Sequence, residues 1–121
     1  MSDTAAVARD FLARFQEPMR DLAQDACDLL LSVLPEAQVS ADRSNLGFGR
    51  GPRLADLVFV LSPHRAHVTI GLARGASLPD PDRLLEGVGR VHRHVKVRSS
   101  EDLRRPELRR LLETAAGRQS P

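Results

Sequence analysis

The side chains in this chain best suited to chemistry crowd into one stretch, Ala66 to Arg98. It holds His67, Arg74, Arg93, His94 and Lys96. A guanidinium is a rigid fork that matches carboxylate or phosphate, an ammonium is a compact point charge, and an imidazole can donate or accept near neutral pH. Together these groups would capture an anion by charge and hydrogen bonding rather than break a bond. The plain alternative is a solvated sheet face, because antiparallel sheets commonly read apolar on one side and polar on the other.

Other chemistries are weaker in the pattern. His92 and His94 fall on one face of an extended run, with His67 as a third imidazole, but a zinc site needs convergent ligands with support behind them. No Gly-x-Ser-x-Gly elbow is present. The glycines of Asn45 to Gly51 alternate and lack a following Gly-Lys-Ser/Thr. That segment reads as a glycine-weakened strand or as a loop whose N–H groups face a ligand. Cys27 is expected on the polar side of its helix as an exposed or half-buried thiol. Glu17, Asp21 and Asp25 form an acidic edge at spacings of four, which reads as a solvated helix face or a weak cation site. With four Phe and no Trp or Tyr, stacking platforms for single-stranded nucleic acid are missing. No recognition helix is apparent either, so specific nucleic-acid binding is not expected.

Two period-two runs must position the cationic set. Val68, Ile70 and Leu72 alternate with His67, Thr69 and Gly71. Val95 and Val97 alternate with His94, Lys96 and Arg98. Each pattern predicts a half-buried strand. If the two are neighbours, His67, His94 and Lys96 share a face, with Arg74 at its rim. Between them, Asp80 as N-cap, Pro81 at the first helical position and Gly87 as terminator predict a short helix. Upstream, Ala55 to Leu61 predicts an apolar strand, turned by Ser62 to Arg65 into an antiparallel hairpin with the Ala66 strand.

Helices flank this core. Val7, Phe11 and Phe15 predict one over Asp3 to Phe15, interrupted near Pro18. Leu22, Ala26, Leu29, Leu30 and Val33 predict a second, ending at Pro35. Asp28 falls among those apolar positions and is expected to need an Arg or a backbone donor. Ala37 to Arg53 is polar and rich in turn residues. Near the end, Ser99 to Asp102 and Pro106 open helical turns, Leu108, Leu111, Leu112 and Ala115 supply an apolar stripe, and Gly117 closes it. Residues 118 to 121 are expected to be a disordered tail.

A chain of 121 residues fits one domain, and 41% hydrophobic residues allow a modest core. Charge is uneven: residues 1–60 hold six Arg against nine Asp/Glu, and residues 61–121 hold twelve Arg/Lys against seven. A basic second half would attract phosphate or carboxylate. No apolar run approaches the ~20 residues that span a bilayer. The first residues lack a signal-peptide pattern, and the single cysteine excludes an internal disulfide. These features predict a cytoplasmic protein.

One resemblance is carried by specific residues. His67-Val68-Thr69-Ile70-Gly71-Leu72, Gly75, Leu78-Pro79-Asp80-Pro81, Leu85-Glu86-Gly87-x-Gly89 and Arg93-His94-Val95-Lys96-Val97-Arg98 resemble the YdhG-like family, the domain of unknown function 1801, related to the YjbR-like group. Asp102-Leu103 and the 108–115 helix also match its usual ending. The resemblance spans roughly residues 10–116 and is most specific over 57–115. The family's Trp-Gly-x-Pro-x-Tyr segment is replaced here by Asn45 to Gly51. It implies a bacterial α+β domain with a curved, mainly antiparallel sheet packed against N-terminal and C-terminal helices, and residues 117–121 outside the core. Some relatives are described as frataxin-like iron chaperones, which use an acidic helix ridge. Glu17, Asp21 and Asp25 would be the nearest equivalent.

The expectation is thus a non-enzymatic domain that needs no cofactor and binds a small anionic ligand or a protein partner through a basic sheet face. Its residues are His67, Arg74, Arg93, His94 and Lys96. Two alternatives accompany it: an iron-binding chaperone, and a protein-interaction subunit or homodimer. The last would be signalled by a large exposed apolar patch.

Overall fold

The structure, a computed structural model, describes residues 3–117. The expected tail at 118–121 lies outside the described residues. Two helices, α1 (Thr4–Leu12) and α2 (Met19–Val33), precede five strands. These are β1 (Gln38–Ala41), β2 (Leu46–Gly49), β3 (Leu57–Pro63), β4 (Val68–Leu72) and β5 (Arg93–Val97). Two further helices, α3 (Ser100–Leu103) and α4 (Pro106–Ala115), follow. The strands form one open sheet in the order β1-β2-β3-β4-β5, and every neighbouring pair is antiparallel. The α+β class expected from the sequence is the one observed.

The alternation in each strand decides which face is dry. Phe48, Phe59 and Leu72 lie side by side across β2, β3 and β4, and Leu46, Leu61, Ile70 and Val95 form the next row. All seven are buried. α2 packs over β3 and β4, α1 lies on β1 and α2, and α4 lies on α2. Burying a side chain of this size contributes about 1.5–3 kcal/mol, so the two rows are the main attraction between sheet and helices.

The helices show how their stripes settle. In α2 the buried set is Ala23, Ala26, Cys27, Leu30 and Val33. The stripe is therefore turned by about one residue from the expected one, leaving Leu22 and Leu29 half-buried. That small turn corrects two expectations. Cys27 is inside, at 1% exposure, not on the polar side. Asp28 is exposed, and its Oδ1 accepts from Gln24 Nε2 at 2.9 Å rather than from an Arg. Ser99 Oγ accepts from Asp102 N at the start of α3, and Pro106 sits in the first turn of α4. Gly117 adopts φ +69° just past α4, where a left-handed residue closes a helix at little cost.

Two further expectations are corrected. β1 falls inside the stretch read as polar turn; it is an edge strand whose only half-buried residue is Val39, so it has little apolar alternation to detect. The helix expected over Asp80–Gly87 is absent. Asp80 does accept backbone N–H groups, from Leu84 and Leu85 at 2.9 Å each, but they close a turn. Arg83 has φ +54°, which no right-handed helix accommodates, and so short a helix has little to offset its nucleation cost. The chain instead runs out to Glu86, which pairs with His94: Glu86 N donates to His94 O at 2.7 Å and His94 N to Glu86 O at 3.1 Å.

Two outcomes follow from this packing. Burial, with the nearby Asp28 charge adding to it, pushes the Cys27 thiol up to about 11. In the native protein at pH 8, Cys27 is therefore expected to resist iodoacetamide and to react once urea unfolds the chain, as mass spectrometry would show. Gly75 is buried, and a Cβ there would lie 2.7 Å from Arg93 Cβ and 3.0 Å from Arg93 N. Gly75→Ala is expected to cost about 1–3 kcal/mol in urea unfolding.

Candidate functional site

The outer face of the sheet, away from the helices, is unusually bare in its centre. Gly47, Val60, Gly71 and His94 form one continuous row across β2 to β5. The register shifts between Phe48 and Gly49, which leaves Leu57 opposite Gly49. Leu57 Cδ2 consequently lies 2.9 Å from the position a Gly47 Cβ would take. A Cβ on Gly49 would come 3.0 Å from Asp56 O, and one on Gly51 2.5 Å from Asp56 Oδ2. These glycines thus let the β2–β3 connection fold back against its own sheet. Of the two readings of Asn45 to Gly51, the strand is the one found, at Leu46–Gly49.

That connection, the end of β4 and the start of β5 enclose a cleft of about 970 Å³. Its wall is largely apolar, built from Leu54, Leu57, Val58, Val60 and Val91. Its charged residues are Arg50, Arg74, Arg93 and Asp56, with His92 and His94 beside them. Asp56 is already engaged: its Oδ2 accepts from Arg53 N at 3.0 Å and pairs with Arg53 Nε at 3.5 Å. Arg50 donates from Nη2 to the carbonyl of Ala116, tying the cleft to the end of α4. Among the described residues, neither Arg74 nor Arg93 makes an ion pair. Arg93 Nη1 donates to His92 O at 3.0 Å, and Arg74 N donates to His92 Nδ1 at 3.3 Å. Arg74 has φ +60°, an uncommon conformation for a residue with a Cβ and a form of strain often met at binding sites.

The five expected cationic residues are therefore divided. Arg74, Arg93 and His94 line the cleft. His94 and Lys96 do share the outer face with the His67 side of β4, since Thr69 pairs with Lys96 and Gly71 with His94. His67 and Lys96, however, lie along that face beyond the residues lining the cleft. Arg93 is opposite Leu72, so it alternates with His94 and enters the cleft from the end of the sheet. His67 stacks on His64 with ring centroids 4.7 Å apart, and Lys96 Nζ is 3.8 Å from Glu86 Oε1.

Desolvation is the main cause holding the His67 imidazole below its usual 6.5, joined by the charges of His64, Lys96 and Arg98 and opposed by Glu86. Among the described residues, no group of three or more His, Cys, Asp or Glu is placed to hold a metal ion. His67, His92 and His94 are thus not gathered as ligands. In the acidic edge, Glu17 pairs with Arg20 at 3.1 Å and accepts from Asp21 N at 3.0 Å. Asp21 is raised, chiefly by its hydrogen bond with Glu17. No helix among the described residues is long and apolar enough to cross a membrane.

The sequence reading missed the apolar wall. Its signal is present: Leu57-Val58-Phe59-Val60-Leu61 is apolar at every position, and a strand apolar on both faces expects cover on both. Val60 and Leu57 are the outward members.

A depressed imidazole has a definite sign in stability. The unfolded chain binds its proton more readily, so this contribution is fully present above pH 6.5 and is lost as pH falls through 6.5 toward the lower folded value. In an NMR titration His67 is expected to titrate below 6.5, and Lys96→Ala to move it upward. Compared with family models, curated proteins and solved structures, the chain matches none of them.

Proposed function

We propose that this protein is a non-enzymatic, cytoplasmic binder of a small anionic ligand, held in the cleft at the end of the sheet. Arg74 and Arg93 supply the charge and His94 a hydrogen bond. His67 and Lys96 extend the cationic face beside the cleft and add a long-range field. The observation that carries the reading is that the three lining guanidiniums, Arg50, Arg74 and Arg93, have no carboxylate partner among the described residues, while the one acid among the lining residues, Asp56, is engaged by Arg53. Arg74 is exposed and Arg93 half-buried, and a half-buried cation without a counter-ion is an incomplete arrangement that a ligand anion would complete. A volume near 970 Å³ also falls at the upper end of the ~300–1,000 Å³ common for small-molecule sites. The YdhG-like resemblance belongs with this proposal; it rests on the motif residues of 57–115 and names no ligand.

Isothermal titration with acetate and with inorganic phosphate tests the reading. Millimolar binding is expected, weakened about tenfold by Arg93→Gln or by Arg74→Asn, since one charge-assisted contact is removed in each. Asn tolerates the left-handed backbone at position 74. Lys96→Ala is expected to change affinity less than about threefold, because its charge is offset by Glu86 and acts from outside the cleft. Absence of any binding, or a larger loss from Lys96→Ala than from Arg93→Gln, would count against the cleft.

A further inference from the structure

From the division of the cleft into a cationic side and an apolar wall, we infer that its ligand is an amphipathic organic anion: one carboxylate or phosphate head on an apolar body. This rests on the anion-binding reading above and adds the part of the ligand that the cations do not explain. A site for a bare inorganic anion has no use for so much aliphatic surface. Here Leu57 and Val60 are the half-buried, outward aliphatic residues of β3, Val58 lines the cleft from a buried position, and Gly71 beside Val60 adds no side chain over them. Leu54 and Val91 also line the cleft, and they are 84% and 50% exposed. Large aliphatic side chains left that open lose contact with water only when something apolar lies against them. The described residues contain three exposed large hydrophobics, and two of them belong to this one cleft.

Two of the three lining guanidiniums, Arg74 and Arg93, lie to one side of that surface, while the third, Arg50, is engaged by the carbonyl of Ala116. Arg74 follows β4 and Arg93 opens β5; the backbone N–H of Arg74 and the guanidinium of Arg93 both donate to His92, and both residues line the cleft. A head group between Arg74 and Arg93 would therefore leave a chain or ring free to lie along β3 toward Leu54. The ligand's two ends are recognised by different residues, so they can be tested separately.

Decanoate, decanol, acetate and inorganic phosphate serve as probes in isothermal titration, with anionic phospholipid vesicles as a further arm. Decanoate is expected to bind more than tenfold tighter than acetate, because several methylenes leave water. It should also bind about tenfold tighter than decanol, because the carboxylate meets a guanidinium. Leu54→Ser, at an exposed position where folding is not at stake, should weaken decanoate several-fold and leave acetate unchanged. Arg74→Asn should weaken decanoate and leave decanol unchanged. If acetate and phosphate bind through Arg74 and Arg93 but decanoate binds no tighter, the amphipathic ligand is overturned and anion capture stands. If no anion binds, both fall. Capture by vesicles without binding of free decanoate would assign the exposed aliphatic residues to a lipid surface and overturn the proposal.

Discussion

Everything in this molecule depends on one dry face. Phe48, Phe59 and Leu72, with Leu46, Leu61, Ile70 and Val95 behind them, must be covered by α2 for the strands to hold a single register. A one-residue slip in any strand would turn its aliphatic set toward water. The register therefore follows from burial, and the outer face inherits its pattern without being selected by packing. His94, Lys96, Thr69 and Gly71 stand where they do because Val95, Val97, Val68 and Ile70 stand opposite. The candidate site is the other side of the core.

What the outer face makes of that inheritance is governed by missing side chains. A glycine in a strand weakens it, through backbone entropy and lost packing. β2 accepts that weakness at Gly47 and Gly49, and the return is close approach: Leu57 and the backbone of Asp56 lie where side chains would stand. The same approach brings Leu54 into the cleft. Gly75 does similar work at the opposite rim, where the turn after β4 meets Arg93 almost without clearance. The cleft is thus framed by segments that touch the sheet only because specific Cβ atoms are absent.

Legibility in the sequence tracked the strength of these constraints. β4 and β5 were readable because Val68-x-Ile70-x-Leu72 and Val95-x-Val97 alternate cleanly, and α4 because Pro106 and Gly117 bracket a leucine stripe. β1 was not, since an edge strand carrying only Val39 against the interior has no pattern to show. The segment after Asp80 misled for a different reason. Its capping signal was real, but the side chain capped a turn, and the backbone at Arg83 took a conformation that composition does not encode. Cys27 and Asp28 exchanged environments through a rotation of α2 by about one position, finer than helical periodicity resolves. For the cationic set, face assignment by parity placed His67, His94 and Lys96 together. Which of them border a cavity depended on the fold-back of residues 51–57, a tertiary event with no local signature.

The order of the strands bears on how the protein assembles. Neighbours in the sheet are neighbours in sequence, and the turns between β1 and β2 and between β3 and β4 span four residues each. The link from β4 to β5 spans twenty. Loop-closure entropy rises as the logarithm of length, so bringing β5 to β4 carries about 1.4 kcal/mol more than closing either short hairpin. The first four strands can zip up through local encounters, whereas β5 must be retrieved from a wide conformational search. Arg93 and His94 ride on that strand, so the cavity they border exists only once the longest link between neighbouring strands has closed.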